Sequence, residues 1–93
     1  MDATMRFATE NGSKYLQQLC KHFAHKVEVE YDAAAGRAAL PPGPAVMAAD
    51  AEGLTVTVSA ESAEKLAAAK FIIEDHLKRF AFREKPAALD WSA

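Results

Sequence analysis

Apolar residues recur along this chain with two different periods, and each switch of period marks an element. Thr4-Met5-Arg6-Phe7-Ala8-Thr9 alternates, which predicts a short strand with Met5 and Phe7 on one face. Asn11-Gly12-Ser13 then offers N-cap chemistry, because a short polar side chain can accept from the free amides of a first turn. Tyr15, Leu16, Leu19, Cys20 and Phe23 follow at helical spacing and predict an amphipathic helix to about His25. Val27-Glu28-Val29-Glu30-Tyr31 returns to alternation, directing Val27, Val29 and Tyr31 inward and both glutamates to water. Asp32 to Gly36 reads as a turn, with Gly36 suited to a positive φ, and Arg37-Ala38-Ala39-Leu40 as a weak returning strand.

Pro41-Pro42-Gly43-Pro44 breaks the pairing, since proline lacks the ladder donor. Ala45-Val46-Met47-Ala48-Ala49 and Leu54-Thr55-Val56-Thr57-Val58 flank Asp50-Ala51-Glu52-Gly53 as a hairpin, the threonines facing water. Ser59 or Ser62 caps a second helix, whose apolar stripe is Leu66, Ala69, Ile73, Leu77 and Phe80, widened by Ile72. Glu74–Lys78 and Asp75–Arg79 are favourable pairs one turn apart. Lys85-Pro86 ends the helix at or before Glu84, because proline disfavours helical backbone in the residue before it. Trp91, the one tryptophan, is expected to dock back onto the domain or a partner. The order β-α-β-β-β-β-α predicts an α+β domain: an antiparallel sheet of three to five strands with both helices on one face. One domain spans residues 1–93, with 86–93 as a C-terminal tail.

Composition narrows the functional classes. The 51% hydrophobic share is inflated by alanine, but the larger apolar residues suffice for one modest core in 93 residues. A net charge of −2 argues against nucleic-acid binding, which rests on neutralising phosphates. The single cysteine cannot form an internal disulfide, Met1 to Arg6 carries no apolar run, and nothing approaches a membrane span. These features predict a cytoplasmic protein, monomer or homodimer, with no membrane partner.

The charges are unevenly spread. Lys14, Lys21 and Lys26 have no acid between them, while Glu28, Glu30, Asp32, Asp50, Glu52, Glu61 and Glu64 face only Arg37. All the histidines and the cysteine lie in two cationic segments, Tyr15 to Lys26 and Asp75 to Glu84. Lys21, His22, His25, Lys26, His76, Arg79 and Arg83 therefore form the candidate ligand-binding set, a cationic patch if the helices lie side by side. A metal site would have to draw on Cys20, His22, His25 and His76. On a helix, however, Cys20 and His22 point about 200° apart, so they cannot share one ion. Cys20 shares a face with Leu16 and Phe23, which predicts a small buried hydrophobe. No nucleophile triad, phosphate loop or carboxylate pair is visible, so neither catalysis nor a cofactor is expected.

Two resemblances bear on this picture. From residue 11 to 84 the order of elements is similar to that of double-stranded-RNA-binding domains, and Ala63 to Lys70 looks like their final helix. Those domains set lysines at that helix start, where this chain has Glu61 and Glu64. More extensively, Tyr15-Leu16-Gln17-Gln18-Leu19-Cys20-Lys21-His22, His25-Lys26, Asp75-His76-Leu77 and Arg79-Phe80-Ala81-Phe82-Arg83-Glu84 resemble the bacterial family called domain of unknown function 2218. That resemblance covers nearly the whole chain and implies no established activity and no functional residue to carry over. It also implies a link to siderophore-interacting flavoproteins, hence an accessory role in iron handling. The expectation is a small binding or accessory module for an anionic ligand or acidic protein partner. A metal- or iron-linked accessory protein is the alternative, and RNA binding the third reading.

Overall fold

The computed structural model of the chain describes residues 1–84 and 89–92. Strand β1 (Asp2–Ala8) leads into helix α1 (Gly12–Phe23), then β2 (Val29–Tyr31), β3 (Ala35–Ala38), β4 (Ala45–Ala49) and β5 (Gly53–Ser59). Helix α2 (Ala63–Phe80) follows, then a short 3-10 turn (Phe82–Glu84) and β6 (Trp91–Ser92). The α+β architecture is as the periodicity predicts, and all five neighbouring strand pairs are antiparallel, in the order β2-β3-β4-β5-β1-β6. The sheet has six strands rather than three to five. The sixth comes from the tail, where Met5 pairs with Trp91 and Thr4 with Ser92. Two residues are too short to show a period, so no pattern in the sequence announces that strand.

Strict alternation builds the core side of the sheet. Ala3 and Met5, Gly36 and Ala38, Ala45 and Met47, and Leu54, Val56 and Val58 are buried beneath the helices. Tyr15, Leu16, Leu19, Cys20 and Phe23 of α1 close over them, joined by Ala69, Ile73 and Leu77 of α2. On the opposite face, Thr4, Thr57, Val46, Arg37 and Glu30 stand in one cross-strand row. The hydroxyls of Thr4 and Thr57 lie 3.0 Å apart. Arg6 forks onto Asp50 at 3.0 and 3.2 Å and reaches Thr55.

Several local details differ from expectation. Ser62 caps α2, accepting from the Lys65 amide, but the Asn11 side chain does not cap α1. Thr9 Oγ1 instead accepts from the Asn11 amide, and Ser13 donates to the Ala33 carbonyl. Strand β2 begins only at Val29 because the turn closing α1 runs on through Val27, whose amide bonds the Phe23 carbonyl at 3.0 Å. As an edge strand flanked by β3 alone, β2 leaves Val29 half-buried and Tyr31 40% exposed rather than inside. Asp75 pairs with Arg79 at 3.0 Å, while Glu74 receives the Trp91 indole N–H in place of the expected Lys78. Helix α2 ends at Phe80, before Glu84; the Lys85-Pro86 signal lies outside the described residues.

Gly36 serves a purpose other than the positive φ of a turn. It sits within β3, opposite Met47 and Tyr31, and a Cβ there would lie 2.8 Å from Cys20 Sγ and 3.3 Å from Leu16 Cδ2. The missing side chain lets α1 settle onto the sheet. Burial correspondingly pushes the Cys20 thiol up to about 11, so it remains an unreactive hydrophobe. Gly36→Ala should cost about 1–3 kcal/mol through overpacking. Adding Cys20→Ala should recover part of that loss, so the double variant is less destabilised than the sum of the singles. Denaturant unfolding of the four proteins measures the coupling, and additivity within about 0.5 kcal/mol would show that the pair does not interact.

Candidate functional site

The C-terminal end of α1 and the middle of α2 meet over the loop that follows β3. Helix α1 stops at Phe23 because the chain tightens there: the His25 amide bonds the His22 carbonyl and the Lys26 amide that of Phe23. This turn presents His25 and Lys26 beside the last helical turn, which carries Lys21 and His22. From α2, His76 approaches His22 with ring centroids 4.6 Å apart. Phe23 packs edge-on against His76 at 5.1 Å, and Phe80 against His22 at 5.9 Å. His76 Nδ1 lies 2.7 Å from the Ile72 carbonyl. A carbonyl only accepts, so Nδ1 carries the proton and Nε2 of the neutral ring is left as an acceptor.

The electrostatics follow from this crowding. His22 is exposed, yet it is held below the ordinary imidazole pKa, first by partial desolvation against these rings and then by His76, His25, Lys26 and Arg79. Five of the seven candidate residues, His22, His25, Lys26, His76 and Arg79, thus share one electrostatic neighbourhood, with Asp75 partly neutralising Arg79. The other two lie elsewhere. Lys21 lines a separate shallow surface with Lys14, Gln17 and Tyr31, and Arg83 stacks on exposed Phe82 at 5.7 Å. Cys20 faces the core at Gly36 and does not join the histidines. Among the described residues, no three His, Cys, Asp or Glu side chains converge as metal ligands.

Two features escape sequence reasoning. Beneath the imidazoles runs a groove of about 270 Å³, with Phe23, Val27, Leu40, Pro41 and Ile72 as its apolar walls. His22, Lys26 and His76 line the same groove. Leu40 and Pro41 carry no signal of this role, since they read as a strand end and a loop. The second feature is Glu84, whose carboxylate accepts from Thr9 Oγ1 at 2.6 Å, from Asn11 Nδ2 at 3.1 Å and from the Tyr15 hydroxyl. Those bonds, led by Thr9 and Tyr15, hold Glu84 below the usual carboxylate range. Burial, reinforced by Glu84, pushes the Tyr15 phenol up to about 12. The network pins the end of the second cationic segment to the start of α1.

The comparisons with known proteins agree with this architecture and assign no chemistry to it. A family model described as an uncharacterized protein conserved in bacteria (DUF2218) matches residues 4–92. The NMR structure of PA4090 from Pseudomonas aeruginosa is similar at a TM-score of 0.81 and 25% identity, over 98% of this chain and 94% of that one. No curated protein matches the chain.

Two titrations probe these clusters. The folded-state pKa of His22 lies below its unfolded value, so its contribution to stability is complete above about pH 6.5 and is lost as pH falls below that. Thermal unfolding between about pH 7.5 and 5 should therefore show a smaller acid loss in His22→Gln; an unchanged slope would show that His22 is not desolvated by its neighbours. In the second, ultraviolet titration should find Tyr15 ionising near pH 12. Glu84→Gln should bring that midpoint down without restoring the ordinary phenol value, because burial is the larger cause.

Proposed function

Since the chain belongs to the uncharacterized bacterial family DUF2218, we propose a function from its own geometry: a small, non-catalytic cytoplasmic binding or accessory module. Its recognition surface is the cationic end of the domain, where His22, His25, Lys26, His76 and Arg79 meet, and its target is an anionic ligand or acidic protein partner. The observation that carries this reading is the approach of His22 and His76 from two different helices, with their rings 4.6 Å apart. Two imidazoles that close cannot readily both be charged, so an anion that favours protonation gains where bulk water would not suffice. Lys26 supplies a permanent charge, and it makes no ion pair among the described residues.

The metal- or iron-linked alternative draws less support. Cys20 lies in the core, and the histidine pair lacks a third converging ligand among the described residues. RNA recognition has less still. The α2 start that would hold phosphates carries Glu61 and Glu64, and Lys65 is paired with Glu61 at 3.2 Å.

The test is a titration with phosphate, citrate or acetate followed by histidine NMR at two pH values. The groups acting on His22 are His25 and Lys26 from the α1 turn and His76 and Arg79 from α2, with Asp75 paired to Arg79. Because His22 is held below the ordinary imidazole pKa, it gains its proton only in more acidic solution, and anion binding should strengthen as pH falls toward about 5.5. The resonances of His22 and His76 should move together. Their failure to move at millimolar anion at either pH overturns the reading.

A further inference from the structure

The anion reading leaves the apolar part of the groove without a purpose, although it lies beside the imidazoles and Lys26 in one lining. Phe23, Val27, Leu40 and Ile72 present aromatic and branched aliphatic surface, with Pro41 closing the loop side. An inorganic anion gains nothing from such walls, because it cannot offset the water they would otherwise shed. A ligand combining both kinds of surface gains from each part of the site. The walls give the hydrophobic term, and Lys26 with the two imidazoles gives the charge complement.

Resting on the proposed function, we infer that the groove binds a medium-chain alkyl carboxylate. Its chain lies along Phe23, Val27, Leu40 and Ile72, and its carboxylate meets Lys26, His22 and His76. Size limits the chain. The groove, about 270 Å³ with one side open to solvent, lies just below the ~300–1,000 Å³ range of drug-sized ligand pockets and suits a small ligand. That is an octanoate-sized ligand and excludes a long-chain fatty acid lying wholly inside. The tautomer of His76 adds a constraint. With Nδ1–H given to the Ile72 carbonyl, Nε2 can donate to a carboxylate only after the ring gains a proton.

Chain length separates this inference from the broader anion reading. Acetate, butyrate, hexanoate, octanoate and dodecanoate, each titrated against the full chain by calorimetry and NMR, form the test series, with 1-octanol as the uncharged control. Each added methylene that enters the groove should tighten binding by up to about fourfold, the equivalent of ~0.8 kcal/mol. The gain should stop near octanoate, because longer chains leave the groove. Octanoate should shift the methyl resonances of Val27, Leu40 and Ile72 together with the histidines. Lys26→Met, an exposed change that removes the charge and keeps a side-chain stem of similar length, should weaken octanoate at least threefold without weakening octanol. If acetate or phosphate binds as tightly as octanoate, the groove inference fails while the anion reading survives. If octanol binds as tightly as octanoate, the pairing of chain and charge fails. If no carboxylate or phosphate binds at all, both readings fail together.

Discussion

Helix α1 must lie close against the sheet for the rest of the molecule to assemble, and the contact that permits it is Cys20 over Gly36. The absence of a side chain on β3 leaves a depression that the sulfur and the Leu16 methyl occupy. Any larger residue would lift the helix, and the lift would be felt at both ends. At the N-terminal end it would move Tyr15 away from Glu84, and at the C-terminal end it would move Phe23 and His22 off Leu40 and away from α2. Packed interiors transmit such displacements because they have no slack to absorb them. One glycine and one small thiol thereby set where the imidazoles meet.

The second helix is held by different forces at different points. Ile73 and Leu77 fix it to the core by burial, Glu74 takes the Trp91 indole, and the Glu84 carboxylate ties the turn beyond its end to Thr9, Asn11 and Tyr15. Polar anchors of this kind are directional, unlike apolar burial, so they specify how far along and around α2 is set. That setting decides which face of α2 meets α1, and hence that His76 rather than Lys78 stands beside His22.

Periodicity made most of the fold legible, because local hydrophobic spacing and the buried face are the same fact stated twice. Leu54, Val56 and Val58 had to face one way, and the helical stripe containing Ile73 and Leu77 had to face them. Tyr31 defeated that logic because alternation reports a two-sided environment, and an edge strand has a neighbour on one side only, so a side chain directed toward α1 still borders water. β6 defeated it because two residues have no period. The histidine neighbourhood was legible in part: helical spacing and charge singled out His22, Lys26 and His76. The same spacing could not show that Lys21 lines a separate surface with Tyr31 or that Arg83 goes to Phe82. Leu40, Pro41 and Glu84 act through partners distant in sequence, and no local pattern encodes a distant partner.

The sheet has two rims, and the chain treats them differently. At one, β6 lays two residues along β1, and Trp91 bolts them down through its indole. At the other, β2 is three residues long and carries Glu30, flanked by Glu28 and Asp32. An uncovered strand is a template for pairing with another chain, and short length and negative charge both discourage such pairing. The unlike rims therefore work against the open-ended stacking of domains edge to edge.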